Sequence, residues 1–579
     1  MDYKTVYESW LDSPKIDSET KDEIISLLSD EEELRYRFSS SLRFGTAGLR
    51  AKMGAGTNLM NVYTVAHVTE GLSRLIKSLG PAAMARGVVI AYDSRINSAL
   101  FAKRAAEVLA FSGIRVYLFD DVRPTPELSF GIRYLKCTAG INITASHNPK
   151  EYNGYKLYWD DGSQPTSETI ERLRTILNDV DLLTDVPITS PPDGFIRMIG
   201  KEVDLAFLDA VQNESVYPAA VEKAADSLSV VYTPLFGAGA SFVPEIMKRI
   251  GLHRIYTVSE QMVHDGNFPG LLKPNPEYPA SFELGIKIAR EVDSDLVIAT
   301  DPDADRVGVM AKDKSGQFRT ISGNQMGCLL LDFILTAMKE QNKLPSDAYA
   351  VKTIVTTDMA GVICRKFGVK IYNVLTGFKY ISEVIRKHEE EGHGTFILGF
   401  EESYGYLKGL HSRDKDSVVA SMLICEMAAY YAGLGMTLSD ALDTLYLKYG
   451  YFCEDTSEIY KDGPGGKDEI AGMMENLRGH MPKELGGSPV VNVRDYLTGK
   501  SVDLLTGTEE RTDLPTSNVL YFKTAAGNTV VARPSGTEPK IKFYVICRGA
   551  DSESAYRAVT TCKSSIEDFF SLKRGSLRK

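Results

Sequence analysis

The sequence predicts an α/β protein with four domains, of which three are similar α/β domains and the last is an α+β domain. Apolar, β-branched runs alternate with helical patterns, as in the strand-like GVVIAYDS at 87–94 and the helix-like SALFAKRAAEVLAFSG at 98–113. Three apolar runs end in unusual polar loops, and each follows another strand-like run of its own. Because α/β sheets bind ligands at the carboxyl ends of their strands, we expect these loops to carry the chemistry.

The two ends of the chain differ from this pattern. The segment DSETKDEIISLLSDEEELRYRF predicts helices, with a candidate N-cap at Asp17 or Ser18. Near the other end, the glycine-rich DGPGGKDEI precedes several strand-like runs and a helical pattern from about Ser552. The predicted divisions are a helical extension at 1–42, α/β domains at 43–205, 206–322 and 323–450, and an α+β domain at 451–579.

The composition excludes several classes of protein. The 579 residues are 43% hydrophobic and 25% charged, which is typical of a soluble globular protein. A formal net charge of -11 argues against nucleic-acid or anionic-membrane partners. The acidic N-terminus does not resemble a signal peptide, and no apolar run is long enough to predict a transmembrane helix. Seven dispersed cysteines without a Cys-x-x-Cys pair predict reduced thiols and a cytoplasmic location.

An acidic triplet, Asp301, Asp303 and Asp305, follows the apolar run LVIAT directly. Three crowded carboxylates repel one another unless a cation neutralises them, and oxygen-only ligands suit Mg²⁺ or Ca²⁺. An EF-hand is excluded, because Arg306 and Lys312 stand where that loop needs glycine and glutamate. A solvated acidic turn is the alternative. The preceding strand and the adjacent arginine, which can bind a phosphate, favour a metal site.

A second loop, RPSGTEPKIKF at 533–543, combines a planar guanidinium, two hydroxyls, a glycine and two lysines. Glycine lets backbone N–H groups approach an anion closely, so this pattern predicts a phosphate-binding loop. An ordinary β-turn is the alternative, which the flanking basic residues make less favourable. The candidate phosphate ligands are Arg533, Ser535, Gly536, Thr537 and Lys542, with added charge from Lys540.

Two further loops have a weaker signal. The stretch FEESYG at 400–405 places Glu401 and Ser403 at a strand end, where carboxylates and hydroxyls could bind sugar hydroxyls. A helix N-terminus is an equal alternative, because the helix dipole favours acidic residues there. The loop TGFKYI contributes Gly377 and Lys379 as candidate substrate ligands.

The stretch TASHNPKEYNGYK at 144–156 follows the apolar run AGINI and contains Ser146 beside His147. No Gly-x-Ser-x-Gly or P-loop pattern occurs, so neither a hydrolase elbow nor a P-loop enzyme is indicated. We assign the histidine to loop positioning, because neighbours on an extended chain point apart. The Asn-Pro and Asn-Gly pairs predict turns. A serine loop, a hard-metal loop, a hydroxyl-binding loop and a phosphate loop together predict phosphoryl transfer between a protein serine and a phosphosugar.

These motifs, in this order, resemble the α-D-phosphohexomutase family. TASHNP resembles its phosphoserine loop, DPDADR its magnesium loop, FEESYG its sugar loop, RPSGTEP its phosphate loop and RFGTAGLR its N-terminal motif. The resemblance covers about 43–545. The EES form of the sugar loop, the length and the N-terminal extension are most similar to phosphoglucomutases of the branch that includes phosphopentomutases.

The resemblance implies four domains around a central cleft, the first three with mixed sheets. It also implies that Ser146 carries the phosphoryl group and that one oxygen of this phosphoserine binds Mg²⁺ together with the three aspartates. Glucose 1-phosphate would become glucose 6-phosphate through enzyme-bound glucose 1,6-bisphosphate. By the same resemblance, Lys156 would act in proton transfer, while Arg50 and Arg306 would be basic residues near the serine. Because arginine stays protonated, we expect Arg306 to stabilise charge.

Other activities on the same scaffold remain open. These are phosphomannomutase, phosphopentomutase and glucose-1,6-bisphosphate synthase activity. A non-catalytic phosphosugar-binding protein is the alternative from another class, and it would be expected to lack the serine, an aspartate or the phosphate loop. The role of His411, which follows the sugar loop in SYGYLKGLHSRDKD, is also left open.

Overall fold

The computed structural model describes residues 2–45, 48–187, 191–461, 465–536 and 539–574. The chain divides into two compact units. The first unit contains Met1–Gly323, Ser382–Gly399 and Ser403–Ser439. The second contains Asn324–Ile381, Phe400–Glu402 and Asp440–Lys579. The predicted domain divisions and the predicted central cleft stay predictions.

The N-terminal segment is helical, as predicted, with α1 at Tyr3–Asp12, α2 at Ser18–Ser26 and α3 at Glu31–Phe38. Asp17 is the N-cap of α2, because its carboxylate accepts a hydrogen bond of 2.8 Å from the backbone N–H of Thr20. Trp10 is buried and packs edge-on against Phe38, with ring centroids 5.6 Å apart. The apolar residues of the extension form a small cluster together with Ala55, Tyr63, Leu182 and Leu183 of the following segment, so the extension packs onto the first α/β segment.

The first α/β segment contains a six-stranded mixed sheet in the order β1-β5-β4-β2-β3-β6. Strands β2, β3, β4 and β6 run parallel, whereas β5 is antiparallel to both β4 and β1. The strands in chain order are β1 (Gly48–Lys52), β2 (Val88–Tyr92), β3 (Val116–Phe119), β4 (Ala139–Ile143), β5 (Tyr152–Trp159) and β6 (Ile196–Ile199). The helices are α4 (Val62–Ser78), α5 (Pro81–Arg86), α6 (Ser98–Phe111), α7 (Thr125–Tyr134), α8 (Ser167–Asn178) and α9 (Lys201–Gln212).

The prediction of an Asn-Gly turn in the serine loop is wrong. Asn153 and Gly154 lie inside strand β5, and the chain reverses at residues 146–151 instead. Gly154 is opposite Arg50 of β1. A Cβ atom on Gly154 would lie 2.5 Å from the carbonyl oxygen of Thr144 and 2.8 Å from that of Leu49. Glycine is needed here because the two neighbouring strands approach too closely for a side chain.

The second α/β segment contains a five-stranded mixed sheet in the order β11-β10-β9-β7-β8. Strand β7 is parallel to β8 and β9, and β10 is antiparallel to β9 and β11. The acidic triplet lies in the turn between β9 and β10, at the carboxyl end of a fully buried strand. The elements are α10 (Pro218–Ala224), β7 (Ser229–Thr233), α11 (Gly239–Arg249), β8 (Arg254–Thr257), α12 (Glu283–Glu291), β9 (Leu296–Thr300), β10 (Val307–Lys312) and β11 (Phe318–Ile321).

The third α/β segment follows. Strands β12 and β13 pair in parallel, with Tyr349 opposite Lys370. The stretch FEESYG occupies the end of β14 and the turn before β15, so the alternative of a helix N-terminus is wrong. The elements are α13 (Gly323–Glu340), β12 (Ala348–Thr353), α14 (Met359–Phe367), β13 (Lys370–Val374), α15 (Phe378–Glu391), β14 (Thr395–Glu401), β15 (Gly405–Leu407), α16 (Ser417–Gly433) and α17 (Leu438–Tyr449).

Within the described ranges, no single helix is long and apolar enough to cross a membrane. The helices α16 and α17 reach that length and hydropathy only as a bent pair. Nearly all residues of α16 are buried in the protein, as expected for a core helix.

The C-terminal segment is α+β, as predicted. Its antiparallel sheet has the order β16-β23-β22-β21-β18-β19-β20, and β17 pairs with β18 at the side of this path. Helices α18 and α19 pack on its apolar face. The elements are β16 (Tyr451–Tyr460), α18 (Gly466–Gly479), β17 (Glu484–Leu485), β18 (Ser488–Asp495), β19 (Lys500–Asp503), β20 (Glu509–Arg511), β21 (Leu520–Thr524), β22 (Thr529–Pro534), β23 (Lys540–Gly549) and α19 (Ser552–Arg574).

Strand β16 carries a carboxylate that should make the stability of the second unit depend on pH. Burial raises the pKa of Glu454 from 4.5 to about 7, and one of its carboxylate oxygens has no hydrogen-bond partner in the described part of the chain. The folded state therefore favours the protonated acid, and stability falls as the pH rises from the unfolded pKa to the folded pKa. We expect Glu454→Gln to remove a penalty of up to about 3 kcal/mol above pH 7.

This expectation can be checked by thermal unfolding of the whole chain at pH 5 and pH 8. The variant should gain stability over wild type mainly at pH 8. Asp455→Asn, at the exposed neighbouring position, is the matched control and should show no such gain. An equal effect of Glu454→Gln at both pH values would contradict the assigned titration.

Candidate active site

Ser146 lies three residues after the end of β4 in a strained backbone conformation. Its φ is 52°, in the left-handed region that few non-glycine residues adopt, and its side chain is only 2% exposed. Its N–H donates to Thr144 Oγ1 at 2.8 Å. Its Oγ donates to Asp301 Oδ2 at 2.7 Å, which places the predicted nucleophile on the predicted metal loop. Strain of this kind is common at functional sites.

The serine loop is held in place by a buried guanidinium that the sequence analysis missed. Arg95 donates to the carbonyl oxygens of Ser146 and Asn148, and to those of Pro149 at 2.9 Å and Tyr152 at 3.1 Å. Its charge is balanced by Asp93, whose Oδ2 lies 3.2 Å from Arg95 Nε. The only signal in the sequence was that GVVIAYDS ends in polar residues at the carboxyl end of a strand.

Asp301, Asp303 and Asp305 form the predicted acidic cluster. Each offers a carboxylate oxygen within 4.8 Å of the others, and all three are buried. Backbone N–H groups of Asp305 and Arg306 donate to Asp301 Oδ1 at 3.1 and 3.0 Å. In the part of the chain that the structure describes, no hydrogen-bond donor reaches the buried Oδ1 atoms of Asp303 and Asp305. Free carboxylate oxygens that converge in this way fit a hard divalent cation such as Mg²⁺.

The pKa values show how crowded these charges are. Burial, followed by the neighbouring carboxylates of Asp303 and Asp305, raises the pKa of Asp301 well above its ordinary value. Burial acts in the same direction on Asp305, but the nearby cations Lys415, Lys156 and Arg306 outweigh it and lower its pKa. The protein thus supplies positive charge unevenly around the triplet.

Two lysines contact the triplet. Lys156 Nζ lies 2.6 Å from Asp303 Oδ2 and 3.2 Å from Asp305 Oδ2. Burial and the neighbouring Lys415 would lower the pKa of Lys156, but these two carboxylates outweigh them, so its pKa is raised. Lys415 Nζ lies 3.2 Å from Asp305 Oδ2 and was not among the predicted residues. Its only signal was its place in HSRDKD after the sugar loop.

The same loop contains His411, whose role the sequence left open. His411 Nε2 lies 2.8 Å from Asp416 Oδ2. The other carboxylate oxygen of Asp416 accepts from Val418 N at 2.7 Å and caps α16. Ser417, the first residue of α16, donates its hydroxyl to the carbonyl oxygen of Ala304 at 2.5 Å. In this structure, His411 therefore supports the helix start that contacts the metal loop.

Asp303 is also held by the first residue of helix α7 and, behind it, by a residue of strand β4. Thr125 Oγ1 donates to Asp303 Oδ2 at 2.8 Å, and Thr125 N donates to the carbonyl oxygen of Asp303 at 2.8 Å. Asn142, on β4, donates its side-chain amide to Thr125 Oγ1 at 2.6 Å. These partners orient one carboxylate of the triplet, as residues behind a metal ligand commonly do.

The two basic residues predicted near the serine have different contacts. Arg50 Nη1 donates to Asn148 Oδ1 at 3.2 Å, and Arg306 pairs with Glu277. The expected separation of Ser146 and His147 is wrong, because His147 Nδ1 lies 3.2 Å from Ser146 Oγ. The backbone at the serine is left-handed rather than extended, so the two side chains turn to the same side. Burial, followed by Arg306 and Arg50, lowers the pKa of His147 well below its ordinary value.

The predicted sugar and phosphate residues lie mostly in the second unit. Glu401 Oε1 accepts from the backbone N–H of Gly377 at 2.9 Å, and that glycine has a φ of 122°. Lys379 is buried, with Nζ 4.7 Å from the centre of the Tyr380 ring. Ser403 follows β14 and belongs to the first unit. The structure thus joins Glu401 to the Gly377 loop, two segments that the sequence analysis considered separately.

The predicted phosphate loop follows β22. Arg533 is opposite Lys542 on β23, and Ser535 N donates to the carbonyl oxygen of Lys540 at 2.8 Å. Lys542 Nζ forms an ion pair of 2.5 Å with Glu458. Gly536 is exposed, and Thr537 lies outside the described residues. Burial, followed by the Glu402 carboxylate, raises the pKa of Tyr544, and the nearby Arg533 partly counteracts this increase.

Comparisons with known proteins decide the family. Residues 41–183, 206–316 and 322–449 match "Phosphoglucomutase/phosphomannomutase, alpha/beta/alpha" domains I, II and III. The chain is 36% identical over 531 residues to a phosphoglucomutase from Staphylococcus aureus strain MRSA252, covering 91% of this chain and 93% of that protein. The chain belongs to the α-D-phosphohexomutase family.

Solved structures of this family share the fold of the chain. A phosphoglucomutase/phosphomannomutase family protein from Burkholderia thailandensis matches with a TM-score of 0.64 and 17% identity, covering 91% of this chain and 97% of that one. The open form of parafusin, a phosphoglucomutase from Paramecium, matches with a TM-score of 0.64 and 14% identity, covering 91% and 94%. The predicted fold class of the phosphohexomutase chain, three α/β domains and a β-rich C-terminal domain, is confirmed.

Proposed function

We propose that this phosphohexomutase interconverts glucose 1-phosphate and glucose 6-phosphate through a phosphoserine at Ser146 and the intermediate glucose 1,6-bisphosphate. The observation that carries the proposal is the hydrogen bond of 2.7 Å between Ser146 Oγ and the buried triplet. Curated relatives that are 36% identical over most of their length are phosphoglucomutases. A serine hydrogen-bonded to one of three converging carboxylates suits phosphoryl transfer, which depends on positioning and charge stabilisation.

The proposed reaction has two matched transfers. In the first, the bond between phosphorus and Ser146 Oγ breaks while a bond to the free sugar hydroxyl forms; that hydroxyl loses its proton, and Ser146 Oγ takes one up. The bisphosphate then reorients end for end within the site, and its other phosphoryl group moves to Ser146 Oγ. The free hydroxyl left on the sugar regains a proton. No phosphate is released to water, so the protein returns to its starting state.

The chain's own residues divide the work of these steps. Asp301, Asp303 and Asp305 would hold Mg²⁺, which when bound neutralises charge on the transferring group. Arg50 and Arg306 stabilise negative charge near the serine, where guanidinium groups suit phosphate oxygens. Lys156 stays the candidate for proton transfer, and His147 contacts Ser146 Oγ.

Substrate binding is assigned to the loops of the predicted sugar and phosphate sites. Glu401 and Ser403 would accept and donate hydrogen bonds to sugar hydroxyls. A guanidinium and backbone N–H groups would bind the phosphate that is not being transferred. The proposed ligands are Gly377, Lys379, Glu401, Ser403, Arg533, Ser535, Gly536, Thr537 and Lys542. A cytoplasmic location, with phosphosugars as small-molecule partners, stays part of the proposal.

The choice of sugar is tested by comparing kcat/KM for glucose 1-phosphate, mannose 1-phosphate and ribose 1-phosphate, with Mg²⁺ and a trace of the matching bisphosphate. We expect glucose 1-phosphate to have the highest value. A higher value for mannose or ribose phosphate would replace the proposed substrate while keeping the reaction. Net accumulation of glucose 1,6-bisphosphate from an external phosphoryl donor would favour the synthase activity.

A non-catalytic phosphosugar-binding protein is distinguished by intact mass. Incubation with glucose 1,6-bisphosphate should make the mutase heavier by one phosphoryl group, located at Ser146. A binding protein would keep its mass unchanged under the same conditions.

A further inference from the structure

We infer that the C-terminal end of α15 and the turn after it form a second metal site, held by His388, Glu391 and His393. These three side chains offer ligand atoms within 4.8 Å of one another. None of them belongs to the acidic triplet or to the proposed substrate loops. The ligand that their chemistry selects is a divalent transition-metal ion of the Zn²⁺ type, because imidazole favours such ions over Mg²⁺.

The backbone builds the site. Helix α15 ends at Glu391, and Gly392 follows with a φ of 67°, which reverses the chain direction. Gly392 N donates to the carbonyl oxygen of Glu389 at 3.2 Å, and His393 N donates to that of His388 at 3.3 Å. This glycine-dependent helix ending returns His393 onto the last turn of α15. The two histidines therefore meet through a defined turn rather than through two flexible side chains alone.

The distances fit metal coordination. His388 Nδ1 and His393 Nδ1 are 3.2 Å apart. Two nitrogens that bind one tetrahedral Zn²⁺ at about 2.0–2.1 Å would be about 3.3 Å apart. Glu391 Oε2 lies 3.1 Å from His393 Nε2, and the carbonyl oxygen of His393 lies 3.0 Å from His388 Nδ1. A small reorientation of the exposed His393 ring would direct one nitrogen and the carboxylate toward a shared ion.

The local charge also favours a cation. The C-terminal end of a helix carries partial negative charge, and the run HEEEGH adds carboxylates around it. Glu389 pairs with Arg413, whereas the partners of Glu391 among the described residues are His393 of the cluster itself, at 3.1 Å, and the exposed Lys387, at 3.9 Å. The Glu391 carboxylate can therefore turn to an ion without breaking a buried ion pair.

The alternative is a surface histidine pair joined by a hydrogen bond alone. His393 has 62% of its side chain exposed, so solvent can reach the cluster. In a metal site, that exposure leaves room for water to complete the coordination of the ion. The two interpretations differ in whether the cluster binds a transition metal more tightly than an ordinary exposed histidine does.

The test is a titration of tag-free protein with Co²⁺ and Zn²⁺ in excess Mg²⁺, followed by calorimetry and by Co²⁺ visible absorption. The whole chain is used in wild-type form and with His388→Ala, His393→Ala or Glu391→Gln. The matched control is His253→Ala, because His253 is also exposed and contacts a single carboxylate, that of Asp226, at 2.7 Å. An Asp303→Asn background removes binding by the acidic triplet, so any remaining site is counted separately.

We expect one site that persists in the Asp303→Asn background and gives the intense absorption of nitrogen-bound Co²⁺. Either histidine variant should weaken Co²⁺ binding at least about tenfold, with His253→Ala like wild type. Mutase turnover and circular dichroism should be unchanged in the histidine variants, which keeps this result independent of the proposed function. Equal Co²⁺ binding by wild type, His393→Ala and His253→Ala would overturn the inference, as would a spectrum of oxygen ligands only.

Discussion

Replacing Ser146 with alanine is expected to reduce kcat for glucose 1-phosphate by at least about four orders of magnitude, because the group that carries the phosphoryl is removed. The change removes one hydroxyl oxygen that is hydrogen-bonded to Asp301. The hydrogen bonds between Arg95 and the backbone of the loop stay in place. The variant should therefore fold. Activity is measured by coupling glucose 6-phosphate formation to an oxidising reporter enzyme, and phosphorylation is measured by intact mass.

The control for this prediction is Ser163→Ala. Ser163 is also buried in the first unit and is bonded to a carboxylate, that of Asp161, at 2.7 Å. The Ser163→Ala variant should still be phosphorylated by the bisphosphate, and it should keep most of its turnover. If Ser146→Ala kept turnover within tenfold of wild type, the phosphoserine mechanism would have to be abandoned. Binding of glucose 6-phosphate by the alanine variant, measured by calorimetry, separates a lost reaction from a lost binding site.

The sequence predicted the site best where one loop contains all the chemistry. Asp301, Asp303 and Asp305 occur within five residues after an apolar strand, so their convergence follows from local chain geometry. Ser146 could be predicted as a candidate nucleophile on its own, because it also lies in a polar loop that follows an apolar strand. Its contact with Asp301 joins positions that are 155 residues apart, and only the resemblance to a family indicated it before the structure did.

Residues that act through packing were missed, because their residue types alone do not indicate the partner. In the sequence Arg95 looks like any arginine after a strand, yet its guanidinium donates hydrogen bonds to four carbonyl oxygens of the serine loop. Lys415 reaches Asp305 from a loop that is 110 positions further along the chain. Thr125 and Asn142 resemble ordinary polar residues near strand ends. Such contacts depend on how separate elements pack, and no local pattern in a single sequence reports that.

Two errors had local physical causes. Asn153-Gly154 has the composition of a turn, but this glycine serves the close approach of neighbouring carbonyl oxygens within a sheet. His147 would point away from Ser146 on an extended backbone, but the positive φ at the serine turns both side chains to the same side. Both errors came from applying the most common backbone conformation at a position where the fold requires a rarer one.

Replacing Asp303 with asparagine is expected to remove the stabilisation of the protein by Mg²⁺ and to lower kcat by about 10²–10³-fold. Wild type should gain Tm with added Mg²⁺, because an ion that binds only the folded state stabilises it by mass action. The variant loses one charged oxygen that has no other hydrogen-bond partner among the described residues. Its Tm should then respond to Mg²⁺ as weakly as to an equal ionic strength of Na⁺.

Two further variants separate metal binding from general electrostatics. Asp313→Asn removes a half-buried aspartate from the turn between β10 and β11, away from the triplet, and it should keep the full Mg²⁺ response. Thr125→Val keeps all three carboxylates but removes the hydrogen bond of 2.8 Å that orients Asp303. It also removes the acceptor of the Asn142 amide. Because it keeps every charge of the triplet, it should weaken Mg²⁺ binding by about 10–100-fold and leave KM for the sugar phosphate nearly unchanged. An unaltered Mg²⁺-dependent Tm shift in Asp303→Asn would mean that the triplet is not the metal site.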